Sequence, residues 1–278
     1  MQKIIAYQGV QGAYSEQACK NSYEAYETVA CDTFHEAMWM VESGDADLAM
    51  IPLENSTAGR VEEIYRLIPK MALHVIGEHF EPVVHCLLGL PDAKLEGLKY
   101  VASHPQALAQ CHNNIIELGL QAEAKLDTAG AAKELLELKD MHRSAIASKL
   151  AAEIYGLQIF KENFEDIQGN TTRFFILSRE KNTPEYDSTK RYITSLIFQV
   201  KNIPAALYKV LGGFAINGVN ILKIESYIGT TILQGSQFHI DIEGHTDSKN
   251  VRLALEELAF FADEVRMLGT YESHKYRV

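Results

Sequence analysis

The stretch DLAMIPLENSTAGR, residues 47–60, sets the reading of the fold. Asp47–Leu53 is apolar and reads as a strand. Glu54-Asn55-Ser56-Thr57 follows as a polar loop, and after Gly59 the spacing over Val61–Ile68 is helical. The same alternation appears upstream. Lys3–Tyr7 is a short apolar strand, Gln8-Gly9-Val10-Gln11-Gly12 a loop, and Ser15 onward a helix. Val29–Cys31 is a second strand. Thr33-Phe34-His35-Glu36 has the form of a capping box opening a helix that ends near Gly44. Strand alternating with helix predicts an α/β domain built on a largely parallel sheet.

Downstream, Leu73–Phe80 and Val83–Leu90 read as extended segments joined by Glu81-Pro82. Tyr100-Val101-Ala102 is a strand, with Ser103 opening a helix. Thr128 opens another, which runs to about Leu138. Ser144–Ala147 is a strand, and Lys149–Tyr155 a helix closed by Gly156. These elements predict a second α/β lobe over about 73–161. The chain then returns to the first lobe (about 1–72 and 162–181) through Phe164–Leu177, leaving a cleft between the two. Lys181–Arg191, KNTPEYDSTKR, is polar and aperiodic and reads as a linker. Beyond it come strand Tyr192–Val200, helix Ala205–Ala215, strands Asn220–Tyr227 and Gln237–Glu243, helix Val251–Phe261 and strand Glu264–Gly269. That βαββαβ order is the ferredoxin-like arrangement.

A length of 278 residues holds two compact domains, and 47% apolar residues with 23% charged describe an ordered globular chain. The net charge of −11 argues against nucleic acid as the main ligand, because phosphate contacts need clustered cations. Cys19, Cys31, Cys86 and Cys111 form no C-x-x-C pair and read as reduced thiols of a cytoplasmic protein. No stretch approaches the roughly 20 apolar residues of a membrane span, and the first residues are too short an apolar run for a signal peptide. His74, His79 and His85 lack ligand spacing and read as structural or surface groups, so no metal is expected.

The loops carry the chemistry. GVQGAYS, PLENSTAGR, ASHPQALAQ and LDTAGAAKE each place small hydroxyl or amide residues where a strand gives way to a helix. Ser103 with Gln106, and Thr128, read as helix caps. Ligands of α/β sheets gather at such strand ends, and helix N-termini there suit carboxylates. GNTTRFFILS, residues 169–178, adds a polar entry with one arginine, Arg173, to an apolar strand. No P-loop, full dinucleotide fingerprint, nucleophile elbow or H-E-x-x-H motif is present. Hydroxyls, amides and one arginine suit a reaction whose electrons the substrate supplies, with a hydroxyl assisting the leaving group.

These residues resemble the prephenate dehydratases. NTTRF looks like that family's Thr-Arg-Phe motif, and GVQGAYS, PLENSTAG and SHPQALAQC match its other motifs in order. The resemblance implies a two-lobed catalytic domain over 1–181, of the periplasmic-binding-protein type. It implies an ACT regulatory domain over 192–272. The implied reaction is loss of water and CO₂ from prephenate to give phenylpyruvate, with no cofactor or metal. Thr172 would be the essential hydroxyl. Arg173 would bind a carboxylate, hold the loop or serve as a structural ion-pair partner. Asn55, Ser103 and Gln110 would orient the substrate, joined by Thr128 and Ser15. Ser103 and Gln110, two turns apart, would share a helix face. L-phenylalanine would act as effector at Ala205-Ala206-Leu207, Asn220, Glu225 and Ser226. Here Ala205 stands for the family's Gly, and Tyr227-Ile228 for its Arg-Pro. A homodimer or homotetramer is implied. No helical segment precedes Lys3, so a fused chorismate mutase is not expected. Arogenate is the alternative substrate, and a non-enzymatic small-molecule sensor the alternative class.

Overall fold

The structure, a computed structural model, describes residues 2–227 and 236–277. The chain opens with β1 (Ile4–Gln8), α1 (Tyr14–Ser22), β2 (Glu27–Cys31) and α2 (Phe34–Ser43). Thr33 caps α2 by accepting from the Glu36 N–H, and Gly44 ends it in a left-handed conformation, as the capping box predicts. Then come β3 (Leu48–Asn55), the short β4 (Gly59–Arg60), α3 (Glu62–Leu67) and β5 (His74–Pro82). β6 (Cys86–Gly89), β7 (Tyr100–Ser103), α4 (Pro105–Gln110), α5 (His112–Glu117) and β8 (Gln121–Ala124) follow. α6 (Thr128–Leu138), β9 (Arg143–Ala147), α7 (Lys149–Tyr155), β10 (Gln158–Lys161) and β11 (Thr171–Ser178) complete this part. The last elements are β12 (Tyr192–Val200), α8 (Ala206–Ile216), β13 (Ile221–Tyr227), β14 (Gln237–Glu243), α9 (Lys249–Phe261) and β15 (Ala262–Glu272).

Three sheets organise them. The first has the order β2-β1-β3-β11-β5, with β4 on β3, and β1 runs parallel to both its neighbours. The second, β10-β6-β9-β7-β8, is mixed: β7 is parallel to β8 and β9, whereas β6 is antiparallel to β9 and β10. The third, β13-β14-β12-β15, is antiparallel throughout and has the ferredoxin-like order. Two extended stretches differ from expectation. Glu81-Pro82 is the end of β5 rather than a connector, and β5 joins the first sheet rather than the second lobe. Gly59–Arg60 pairs back on Asn55 and Glu54 as a hairpin before the helix begins.

The residues fall into two compact units, 1–61 with 79–174, and 62–78 with 175–278. In the second unit α8 and α9 cover one face of the third sheet through Val210, Phe214, Ala254 and Leu258 against Leu196, Phe198 and Ile240. Residues 62–78 belong with this unit for a visible reason. Tyr65 and Phe175 pack their rings 6.0 and 5.9 Å from His239, which projects from the opposite face of β14. Gly269 lets the Val75 carbonyl approach so closely that any Cβ would overlap it. Arg266 donates to the carbonyls of Pro69 (3.0 Å) and Met71. Among the described residues, no helix is long and apolar enough to cross a membrane.

Candidate active site

The first unit encloses a cavity of about 230 Å³ lined by Tyr14, Asn55, Val61, Val83, His85, His104, Gln106, Gln110, Thr128, Asn170 and Thr172, among others. It sits at the ends of β3, β7 and β11, where the loops that interrupt the apolar strands meet.

Asn55 is the pivot of one wall. Its Oδ1 accepts from the backbone N–H groups of Thr57 and Ala58, both at 3.0 Å, and from Thr57 Oγ1 at 2.8 Å. This side-chain turn fixes the amide's orientation without help from the rest of the fold. Nδ2 is thereby aimed across the sheet and donates to Thr172 Oγ1 at 2.9 Å. A hydroxyl that accepts here has its own proton to offer to the cavity. The start of β11 is held just as firmly. Ser56 N–H donates to the Thr171 carbonyl (2.9 Å), and Thr171 N–H donates to Ser56 Oγ (3.0 Å). Behind it, the apolar run Phe174–Leu177 is buried.

The second wall is a chain of polar contacts. Gln110 Nε2 donates to Thr57 Oγ1 (2.6 Å), and its Oε1 accepts from Asn170 Nδ2 (3.2 Å) and meets His85 Nε2 at 2.8 Å. His85 Nδ1 lies 2.8 Å from the Tyr14 hydroxyl, which also reaches the Val84 carbonyl at 2.8 Å. Burial holds the His85 imidazole below its ordinary pKa, partly opposed by the Gln110 hydrogen bond and the nearby Glu165 carboxylate. Burial also pushes the Tyr14 phenol well above its ordinary range, so it remains a hydroxyl.

Thr172, Asn55, Gln110 and Thr128 are thus brought to one cavity. Three other residues are placed differently. Ser103 is no helix cap: it ends β7, is fully buried, and donates to the Ile146 carbonyl at 2.6 Å. His104 caps α4 instead, its Nδ1 accepting from Gln106 N–H at 3.2 Å, and the helix breaks at Cys111. A shared helix face for Ser103 and Gln110 is therefore excluded. Thr128 is the first residue of α6 rather than its cap. Asp127 accepts from Gly130 N–H in that role, which leaves Thr128 at the cavity. Arg173 is 2% exposed and pairs with Glu54 at 3.2 Å, as the structural ion-pair alternative foresees, and it does not line the cavity. Ser15 lies in α1 outside the lining, and its neighbour Tyr14 takes that place.

The glycine loop has a packing task. A Cβ on Gly12 would fall 2.8 Å from the Ala151 backbone, and Gly12 N–H is already bound to Glu16 Oε2 at 2.6 Å. Ser148, the cap of α7, donates to the Gly12 carbonyl at 2.6 Å. That loop therefore packs against the start of α7. Tyr14, His85, His104, Gln106 and Asn170 are polar lining residues that sequence reasoning did not name as site residues. All but His85 lie inside motifs that were read for a neighbouring residue, and only placement reveals His85.

In the second unit, Ala205 adopts the left-handed region (φ +59°) at the start of α8, followed by buried Ala206 and half-buried Leu207. Asn220 donates to Glu243 Oε2 at 3.3 Å, and Glu225 and Ser226 lie in β13. Ile228 lies outside the described residues.

Comparison with known proteins agrees with this architecture. The prephenate dehydratase family profile matches residues 5–182. A bifunctional N-acyl-homoserine lactone acylase/prephenate dehydratase of Komagataeibacter europaeus is 43% identical over 276 residues, spanning 99% of this chain and 98% of that protein. Arogenate dehydratase 2 of Petunia hybrida is 41% identical over 285 residues, spanning 97% of this chain and 71% of that protein. Among solved structures, prephenate dehydratase of Arthrobacter aurescens in complex with L-Phe superposes with a TM-score of 0.89 at 30% identity. That match covers 97% of this chain and 90% of that one. The profile spans most of the chain and the relatives nearly all of it, so the chain belongs to the prephenate dehydratase family, carbon–oxygen lyases of aromatic amino acid biosynthesis.

Proposed function

We propose that the chain converts prephenate to phenylpyruvate, with Thr172 as the group that assists the departing hydroxyl. The observation that carries this reading is the Asn55–Thr172 hydrogen bond in a cavity of neutral donors. In the reaction the ring carbon–carboxylate bond breaks and releases CO₂. Its electron pair enters the ring and expels the ring hydroxyl, and the ring becomes aromatic. Prephenate is a dianion and phenylpyruvate a monoanion, so one proton must reach the leaving hydroxide to make water. Thr172 is placed to hand over that proton in the transition state and regain it afterwards, an assistance worth about 10²–10⁴ in rate. Asn55 orients Thr172, while Gln110, Asn170 and Thr128 offer hydrogen bonds to the substrate. Residues 1–181 form the catalytic part in this reading, and 192–272 a regulatory part that binds L-phenylalanine. The Arthrobacter relative was solved with that amino acid. The protein acts in the cytoplasm as a homodimer or homotetramer.

Arogenate is the second substrate to test, because several relatives at 39–41% identity are arogenate dehydratases. Both compounds are offered to the purified chain, with and without L-phenylalanine, beside Thr172→Ala. Phenylpyruvate formation that collapses in the variant supports the reading. Turnover of arogenate alone replaces the substrate. Turnover of neither by a folded chain refutes the reading.

A further inference from the structure

The cavity has a charge problem. Among the described residues that line it, none is lysine or arginine, and the guanidinium expected there, Arg173, is buried against Glu54 instead. A dicarboxylate entering such a space leaves water without meeting a full positive charge. Burying an unpaired anion is strongly unfavourable, and a nearby titratable group then changes its protonation state instead.

Two lining residues can become cations, His85 and His104. At His104, Nδ1 accepts the Gln106 N–H as the cap of α4, so a proton on that atom would break the cap. His85 is built differently. Gln110 presents an oxygen, not an amide proton, to His85 Nε2, because its Oε1 also accepts from Asn170 and its Nε2 donates to Thr57. Nε2 of His85 therefore carries a proton. At Nδ1 the partner is the Tyr14 hydroxyl, which has one proton and two acceptors in reach, His85 Nδ1 and the Val84 carbonyl, each at 2.8 Å. When the ring is neutral, Tyr14 donates to Nδ1. When the ring is charged, Nδ1–H donates to the Tyr14 oxygen, and the Tyr14 proton turns to Val84. Protonation therefore costs the ring no hydrogen bond, and it frees the Tyr14 proton for the Val84 carbonyl, which the neutral state leaves without it.

The groups facing the ring favour this. Glu165, whose Oε2 accepts the His85 backbone N–H at 2.8 Å, is the carboxylate acting on it. Tyr14 packs edge-on at 5.6 Å and stays a hydroxyl, while the buried thiols Cys86 and Cys111 near Tyr14 stay neutral. Among the described residues, the charged group that acts most on the ring is the Glu165 carboxylate and not a cation.

We propose that His85 takes up a proton at Nδ1 when the dicarboxylate substrate binds, and that this imidazolium, acting through space and through Gln110, is the cation of the binding site. The inference rests on the dehydratase reading and names how that site holds its anion. His85 is a positioning residue here, because both ring nitrogens are occupied by Gln110 and Tyr14.

The test is calorimetry of prephenate binding to the Thr172→Ala chain, which should bind without turnover, at pH 7.5 in two buffers of different ionisation heat. About one proton is taken up per site, and none in the double variant with His85→Gln, whose affinity falls at least about tenfold. With the native chain, KM for prephenate rises about tenfold per pH unit above the free imidazole's pKa, as linkage requires, and His85→Gln flattens that slope. Binding without proton uptake, or uptake that survives His85→Gln, overturns the inference and leaves the dehydratase reading standing. Absence of both binding and native turnover overturns the dehydratase reading itself, and the inference with it. Should His85→Gln fail to fold, the buffer dependence of the Thr172→Ala chain decides alone.

Discussion

Asn55→Asp tests the orientation of Thr172 with almost no change of shape. The variant keeps Oδ1, so its contacts to Thr57 and Ala58 survive. What changes is the atom facing Thr172, from an N–H donor at 2.9 Å to a carboxylate oxygen. The Thr172 hydroxyl then donates to Asp rather than accepting from Asn, and its proton points away from the cavity. A hydrogen bond to a charged acceptor is worth about 1.5–3 kcal/mol, which must be broken before that proton can be offered to the leaving group. The new charge also repels the substrate. Two like charges about 8 Å apart at an effective dielectric constant near 20 cost ~2 kcal/mol. Together these terms lower kcat/KM by about 10³ or more, at roughly tenfold per 1.4 kcal/mol. Stability should change by less than about 1 kcal/mol, because the site is partly open and the turn is intact. The assay is phenylpyruvate formation from prephenate, beside a thermal melt. A variant that melts normally and keeps kcat/KM within about tenfold of the native chain would refute the reasoning.

Four further outcomes follow from the same structure. Arg173→Met removes the buried half of the pair with Glu54, whose carboxylate is 33% exposed and so stays partly solvated; a loss of about 1.5–3 kcal/mol is expected in chemical denaturation, with KM of the folded fraction within a few-fold. Ala205→Gly relieves a left-handed alanine, and a gain of about 0.5–1 kcal/mol should raise the melting temperature; an unchanged or lower value would sink that account. Burial pushes the thiols of Cys31 and Cys86 up to about 11 and also raises those of Cys19 and Cys111, so a thiol reagent at pH 8 should find the four cysteines only after denaturation. Glu16 titrates below its ordinary 4.5: burial raises it, but Lys20, Gly12 N–H and Thr28 together outweigh that. Its folded pKa is depressed, so its contribution is present above pH 4.5 and lost as pH falls through the lower folded value. Glu16→Gln should flatten that part of the acid melting profile.

The alternation of strand and helix, the antiparallel tail and the cap at Thr33 were all legible in the chain, because each depends on a few neighbouring residues. Hydrophobic runs choose strands, and a hydroxyl three residues before a glutamate chooses a helix start. Thr172, Asn55, Gln110 and Thr128 were legible for a related reason. They sit at or beside the ends of such elements, and α/β sheets collect those ends at one edge. Arg173 marks the limit. An arginine beside Thr172 reads equally well as a substrate clamp or as an ion-pair partner, and only the position of Glu54, more than a hundred residues earlier, decides. Ser103 and His104 exchanged roles because one residue of strand length separates a buried hydroxyl from a cap. His85 read as an ordinary structural histidine until Tyr14, Gln110 and Glu165, from three distant segments, closed around it. The sequence by itself determined the elements and the kinds of polar group available, since these follow from local spacing. Which polar groups share a cavity, which are spent on each other, and where a positive charge can form were decided only by the tertiary structure, because hydrogen bonding and burial depend on partners that the chain brings together across long separations.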